Sequence, residues 1–313
     1  MINTKYDKFI GGLYGVAIGD SLGSIFEFYN RSTPKLKWTG LLAEVPVTVQ
    51  FQWHSMVLYP GSYTDDTEMS IQLLKSILEN DGYEQDKTIK KYLEWANLKG
   101  TPLGKNTRAL MKGVTTVKGF KTRRAKIDTS GVESNGSLMR CFPIVLLDDW
   151  RKVSDMDVAL TNDNDVNREC SIIYLTVARH IIFGEPLKFK CRQKSVRLAI
   201  KNAINNVIVD VSYQKGWVVH ALYVALITLF NADSYEDGMA FIAKHFLKNT
   251  DTDTIMAISG ALLGSVYGFN KMNVEPLTSQ NITRIDGYLE TTERPSFDKD
   301  TLSGVNKHLQ TYS

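Results

Sequence analysis

Cysteine is scarce in this chain. Cys141, Cys170 and Cys191 are the only three in 313 residues and stand far apart. Their odd number and wide spacing exclude a disulfide framework and the close pairing of a zinc site, and suit a reducing, cytoplasmic setting in which each packs as a small side chain. Long apolar runs are absent as well. None approaches the ~18 residues of a membrane span, so no membrane partner is expected. The stretch Met1 to Lys8 is polar where an export leader needs an apolar core. Charge of one sign is also missing: 37 basic side chains against 34 acidic leave a net charge of +3, which gives no electrostatic case for a dedicated nucleic-acid binder. There is no fixed-period repeat and no low-complexity tract.

What is present is helix pattern. Phe9 to Ile18, Glu68 to Leu78, Glu169 to Phe183, Trp217 to Phe230, Tyr235 to Phe246 and Ile255 to Tyr267 place apolar residues at helical spacing over lengths too great for strands. Strand signal is confined to Val45 to Tyr59, which alternates over a few residues as a hairpin or extended loop closed by Pro60-Gly61. Lys118 to Ser134 reads as a polar surface loop, and the tail from Met272 as short helices wrapping the surface. With 43% hydrophobic and 23% charged residues, the expectation is one compact all-α domain over 1–313, with 271–313 as its surface segment. Two helices are rich in small residues, Gly11, Gly12, Gly15, Ala17 and Gly19 in one and Gly260, Ala261 and Gly264 in the other. A helix interior tolerates that much glycine where backbones approach closely, so these two should lie deep in the bundle.

Two acidic clusters carry the chemical signal. Tyr63-Thr64-Asp65-Asp66-Thr67-Glu68 precedes one amphipathic helix, and Thr250-Asp251-Thr252-Asp253-Thr254 precedes another. Either could begin as helix capping, with Asp65 and Glu68 spaced as a capping box. Capping uses one or two residues, however, and adjacent carboxylates repel unless a cation neutralises them. Carboxylate and hydroxyl oxygens with no His or Cys beside them suit a hard ion, Mg2+ or Mn2+. If the two helix starts converge, they can hold two such ions.

With these residues in view, the chain resembles the ADP-ribosylglycohydrolase family, of the type that reactivates ADP-ribosylated dinitrogenase reductase. Five motifs run in order between about residues 9 and 270, leaving aside 30 to 60. They are Gly11, Gly15, Gly19, Asp20, Leu22 and Gly23 followed by Glu27; Thr64-Asp65-Asp66-Thr67-Glu68-Met69; Gly104-Lys105-Asn106-Thr107-Arg108; Ser134-Asn135-Gly136-Ser137-Leu138-Met139-Arg140 ahead of Pro143; and Asp251-Thr252-Asp253-Thr254 leading into Gly260 and Gly264.

The resemblance implies an orthogonal helical bundle with a binuclear magnesium or manganese site. It implies metal ligands at Thr64, Asp65, Asp66, Asp251, Asp253 and Thr254, and a supporting role for Asp20. It implies a hydrolase that cleaves the glycosidic bond between ADP-ribose and an acceptor through a metal-activated water, with Glu27, Asp65, Asp66 and Asp253 as the catalytic carboxylates. The first acceptor to consider is an arginine on an ADP-ribosylated protein, and the enzyme is expected to be a monomer. O-linked, nucleic-acid-linked and small-molecule conjugates are the alternatives, as is an idle relative that only binds ADP-ribose. Ser134, Asn135, Gly136 and Ser137 suit ribose and diphosphate recognition. Asn162 falls where many relatives carry histidine, and Tyr267, with Phe269, offers a stacking surface for adenine. Arg140 reads either as a phosphate partner or as half of a buried pair. His180 and His220 sit in apolar helical patterns that favour packing. The basic runs at Lys118–Lys126 and Lys188–Arg197 read as wetted faces. Leu103 and Asn249-Thr250 are further departures from relatives, which carry aspartate and glycine there.

Overall fold

The computed structural model describes residues 4–28, 47–51, 54–58, 61–101, 103–247, 250–272, 280–285 and 288–310. Its first half holds α1 (Thr4–Phe28), the strands β1 (Val47–Phe51) and β2 (His54–Leu58), and then α2 (Asp65–Glu79), α3 (Gln85–Ala96), α4 (Lys105–Met111) and α5 (Val117–Arg124). Two short 3-10 turns, Asn135–Ser137 and Phe142–Leu146, lead into α6 (Trp150–Thr161), α7 (Asp165–Phe183) and α8 (Lys194–Ile204). The chain continues through α9 (Val218–Asn231), α10 (Tyr235–Phe246) and α11 (Thr252–Tyr267), and closes with β3 (Gln280–Ile285), β4 (Tyr288–Glu293) and α12 (Lys299–Gln310). This is the expected helical bundle. One antiparallel sheet of order β1-β2-β3-β4 joins the hairpin of the first half to that of the second.

The bundle is built around α1, α9 and α11. Helix α9 is apolar nearly all round, and Val218 to Thr228 are buried, as a central helix must be. The contact between α1 and α11 sets the geometry of the site. Gly11 faces the Gly264 carbonyl, Gly15 the Gly260 carbonyl, Gly19 the Met256 carbonyl and Gly23 the backbone of Thr252 and Asp253, so the two helices run antiparallel in backbone contact. A Cβ on Gly15 would sit 2.1 Å from the Gly260 oxygen, which no side chain can do without prising the helices apart. Tyr235 and Tyr174 brace the pair, their hydroxyls donating to the carbonyls of Gly15 and Ile258 at 2.9 Å each. The small-residue helices thus lie where their composition placed them, and their contact brings the end of α1 against the start of α11.

Three local expectations change. Val117–Arg124 is a helix rather than loop, because Thr116 caps Gly119 N at 3.1 Å and Phe120 is buried beneath it. The tail carries a β-hairpin before its helix. The capping box at α2 does not form. Glu68 is bound instead to Arg294, in a pair buried on both sides, and to Trp95 Nε1 at 2.7 Å. Val45, Trp53, Tyr59, Pro60 and Asn249 lie outside the described residues.

A convergent carboxylate site

Asp20 on α1 takes over the work of capping α2. Its carboxylate accepts from Thr64 N at 2.9 Å, Thr67 N at 3.0 Å, Thr64 Oγ1 at 2.8 Å and Thr67 Oγ1 at 2.6 Å. Neither Thr64 nor Asp251, the residues at the cap positions of α2 and α11, makes a side-chain cap of its own. Asp65, Asp66 and Asp251 are therefore released from capping and turn toward one another at two helix N-termini, whose positive ends favour negative charge.

The two acidic loops, 187 residues apart between Asp66 and Asp253 in sequence, meet in space. Oxygens of Asp20, Asp66 and Asp253 lie within 4.8 Å of one another, as do those of Glu27, Asp251 and Asp253. Asp65 stands beside them, half-buried on the cleft wall. Burial raises these carboxyls first and mutual repulsion second. Asp65 is pushed up to about 8 and Asp251 to about 7, while Asp66 and Asp253 are held well above the carboxylate range. Asp20 rises to about 6 even against its four donors. Asp66 Oδ1 and Glu27 Oε2 are buried with no donor among the described residues, an arrangement that costs free energy unless a cation completes it. Oxygen ligands in two groups that share Asp253 fit hard divalent ions, with the Thr254 hydroxyl lowering Asp66 from nearby.

The carboxylates floor a cavity of about 620 Å3 whose walls include Ser134, Asn135, Gly136, Leu103, Asn106 and Lys215, within the size range of small-molecule sites. Asn135 Nδ2 donates to Asp251 Oδ2 at 2.7 Å, so this amide orients a carboxylate. The Ser134–Ser137 loop is stitched to a second loop by Asn135 N to Gly216 O at 2.8 Å and Val218 N to Glu133 O at 2.9 Å. Gly216 has φ 78°, the left-handed region that favours glycine, and a Cβ there would crowd Asp251 Oδ2 at 3.1 Å.

The remaining expected residues divide. Asn162 is fully buried behind the loop, donating to Val132 O at 2.9 Å and to Ser134 Oγ at 3.0 Å; it shapes the cleft wall from outside the cavity. Ser137 is likewise buried, accepting from Asn167 Nδ2 at 2.9 Å. Thr64 lies behind Asp66, its hydroxyl 3.3 Å from Asp66 Oδ2. Tyr267 does not join the site. It ends α11 fourteen residues beyond Asp253, about 21 Å along the axis, with its hydroxyl on Ala232 O at 2.6 Å. Phe269, packed on Tyr14, is at that far end too. Arg140 is a buried structural cation: Nε bonds Asp157 at 2.8 Å and Nη1 bonds Gly136 O at 2.7 Å, tying the cleft loop to the core. Leu103 gives the cavity an apolar wall.

Sequence reasoning missed Lys215 and Gly216. Lys215 Nζ donates to Glu27 Oε1 at 2.6 Å. Burial alone would lower this ammonium, and Glu27 holds it above its ordinary value. Both residues stand in a polar loop without periodicity, and only the Gly in Lys215-Gly216 signalled a turn. Tyr213, exposed on the same loop, packs edge-on against His220.

Known proteins resemble the chain over most of its length. The family model for ADP-ribosylglycohydrolase matches residues 1–290. The ADP-ribosyl-[dinitrogen reductase] glycohydrolase of Rhodospirillum rubrum is 23% identical over 308 residues, covering 94% of this chain and 95% of that one. An ADP-ribosylarginine hydrolase of Serratia proteamaculans is 22% identical over 286 residues, covering 85% and 73%. Among solved structures, an ADP-ribosylglycohydrolase-related protein complex superposes with a TM-score of 0.66 at 18% identity over the full length of both chains, a likeness of fold.

Proposed function

The chain belongs to the ADP-ribosylglycohydrolase family of glycosidic-bond hydrolases, and from that premise we propose that it releases ADP-ribose from ADP-ribosylated arginine on protein, using two divalent ions, Mg2+ or Mn2+, in the carboxylate site. The observation that carries this reading is the meeting of Asp65, Asp66, Asp251, Asp253 and Glu27 in one cavity. Asp65, Asp66, Asp251 and Asp253, with Thr64 and Thr254, would hold the ions. The Thr64 hydroxyl is held between Asp20 Oδ1 at 2.8 Å and Asp66 Oδ2 at 3.3 Å, donating to these carboxylates, which keeps its oxygen at the edge of the site. Such ions supply Lewis acidity toward ribose hydroxyls and water at neutral pH.

The protein's own groups do the rest. Cleavage at the anomeric carbon develops positive charge on the ribose ring, and a floor of carboxylates stabilises it. Glu27 is held by Lys215 through one oxygen and keeps the other free, so Oε2 is available to take a proton from an attacking water or to pass one to the leaving group. Asn135 keeps Asp251 turned into the cleft. Ser134 and Gly136 line the wall, where an absent side chain leaves backbone open to a diphosphate. Arginine is taken first among the acceptors because the Serratia relative named above carries that activity in its name.

The test is to incubate the protein with Mg2+ or Mn2+ and arginine-, serine- or nucleotide-linked ADP-ribose, and to measure free ADP-ribose. Metal-dependent release from the arginine conjugate alone is expected. Release from another conjugate alone reassigns the acceptor. Tight ADP-ribose binding with no release from any conjugate makes the chain an idle relative.

A further inference from the structure

Helix α8 and the chain on either side of it differ from the rest of the surface. From Pro186 to Val209 there are six basic side chains, Lys188, Lys190, Arg192, Lys194, Arg197 and Lys201, and no acidic one, whereas the whole chain is only +3. The remainder of the protein is therefore net acidic. The carboxylates that border this stretch are engaged: Glu169 accepts from Arg192 N and Gln193 N at 2.7 and 2.9 Å, Glu185 is paired with Arg179, and Asp210, just beyond Val209, accepts from Ser212 N at 2.8 Å.

Aliphatic exposure is concentrated in the same place. Of the nine large apolar side chains exposed among the described residues, six lie here: Leu187, Phe189, Leu198, Ile204, Val207 and Ile208. Leu198 is 55% exposed and Ile204 65%, too much for a side chain whose helix has finished packing. On α8 the inward face is Val196, Ala199 and Ala203, while Lys194, Arg197, Leu198, Lys201 and Ile204 form one outward stripe at helical spacing. Cations and aliphatic tips thus alternate along a convex helix face.

We infer that this face is a peripheral docking surface for an anionic phospholipid bilayer. A folded acidic protein would need a complementary groove to seat a convex ridge. A fluid bilayer conforms to it, lets Leu198 and Ile204 enter the interface and lets the flanking lysines and arginines reach lipid phosphates. Clusters of four to eight Lys or Arg beside exposed apolar residues are what anionic leaflets attract. No helix among the described residues is long and apolar enough to cross a membrane, so the contact is with the surface. None of these residues lines the carboxylate cavity, and the inference stands apart from the reaction proposed above.

Co-sedimentation of the full chain with vesicles tests it. The protein should pellet with vesicles containing phosphatidylserine, not with phosphatidylcholine alone, and raised salt should release it. The variant K190Q/K194Q/R197Q should bind on the order of 100-fold more weakly, at about fivefold per cation removed. L198S/I204S should also bind more weakly, and both variants should keep the parent's thermal midpoint and its turnover of soluble conjugates. Absence of binding to phosphatidylserine vesicles, or binding by the charge variant equal to the parent, overturns the proposal. Salt-sensitive retention on polyglutamate without any vesicle binding overturns it in favour of an acidic polypeptide partner.

Discussion

Charge is buried in two ways in this molecule. Behind the cleft, Arg140 and Asp157 are both fully buried and satisfy each other: the guanidinium bonds Asp157, Gly136 O and Thr161 Oγ1, and Tyr92 adds its hydroxyl to Asp157 at 3.1 Å. Glu68 and Arg294 form a similar closed unit with Trp95. Along the cleft floor, carboxylates of α1, α2 and α11 crowd within 4.8 Å, with Lys215 paired to Glu27 at their edge and two oxygens lacking donors among the described residues. The first arrangement is complete as it stands and holds the fold. The second is incomplete among the described residues, and the proposed cation site rests on that incompleteness. Buried charge with its partner present is architecture, and buried charge without one is function.

The largest effect should come from breaking the closed kind. Arg140→Met leaves Asp157 buried and unpaired and frees the Gly136 carbonyl, so unfolding in urea should show a loss of about 3–5 kcal/mol. A loss below about 1 kcal/mol would mean that Asp157 is neutralised some other way and that the pair is not structural. The open kind should respond with the opposite sign. Asp66→Asn removes a carboxyl that the metal-free protein must protonate in order to bury, so the metal-free variant should melt at the same temperature or higher. Activity should nonetheless fall by at least about 100-fold, given that even outer-shell partners of metal ligands cost 10–100-fold. A variant destabilised without metal would place Asp66 in the architecture instead.

That opposition explains what could be read from the sequence and what could not. The two acidic loops were legible because their carboxylates exceed what capping uses, and the glycines of α1 and α11 were legible because their helix cost needs a close contact to offset it. The glycine register then delivers Gly23 against Asp253, the step that makes the loops converge. Lys215 was not legible, because a lysine in an aperiodic loop carries no signal until the loop is placed. Tyr267 lies at the far end of α11 from the cavity; helical spacing reports the face of a residue but not which end of the helix meets the site. Asn162 lies in the right place with its amide turned to the loop behind the cavity, a matter of side-chain direction that spacing does not encode. Glu68 looked like a capping residue because its partner, Arg294, is 226 positions away.

Acid should separate the two regions more gently. In the metal-free protein Asp20, Asp65 and Asp251 have folded-state values raised to about 6, 8 and 7, against about 3.9 for an aspartate in the unfolded chain. The folded state therefore holds more protons than the unfolded one between pH 4 and 8, and by linkage its stability must rise as pH falls through that window and fall as pH rises. A melting temperature that climbs from pH 8 to pH 5 without metal, and flattens with saturating Mg2+, is the expected result. A midpoint that drops steadily on acidification without metal would show that the carboxylates are already neutralised within the protein.

The smallest effect belongs to Lys215, which sits between the two kinds: it pairs Glu27 at 2.6 Å but is itself half exposed. Water screens the lysine but not Glu27, which is only 8% exposed, so Lys215→Met should cost about 1–2 kcal/mol of unfolding free energy. Its influence on the cluster has a definite sign. A fixed positive charge beside a cation site opposes the incoming ion, so removing it should tighten Mn2+ binding in a calorimetric titration while leaving Glu27 less firmly oriented, with kcat reduced. Weaker Mn2+ binding in this variant would show that Lys215 serves mainly to hold Glu27 in a ligand position, and the boundary between the closed and open regions would then move one residue into the site.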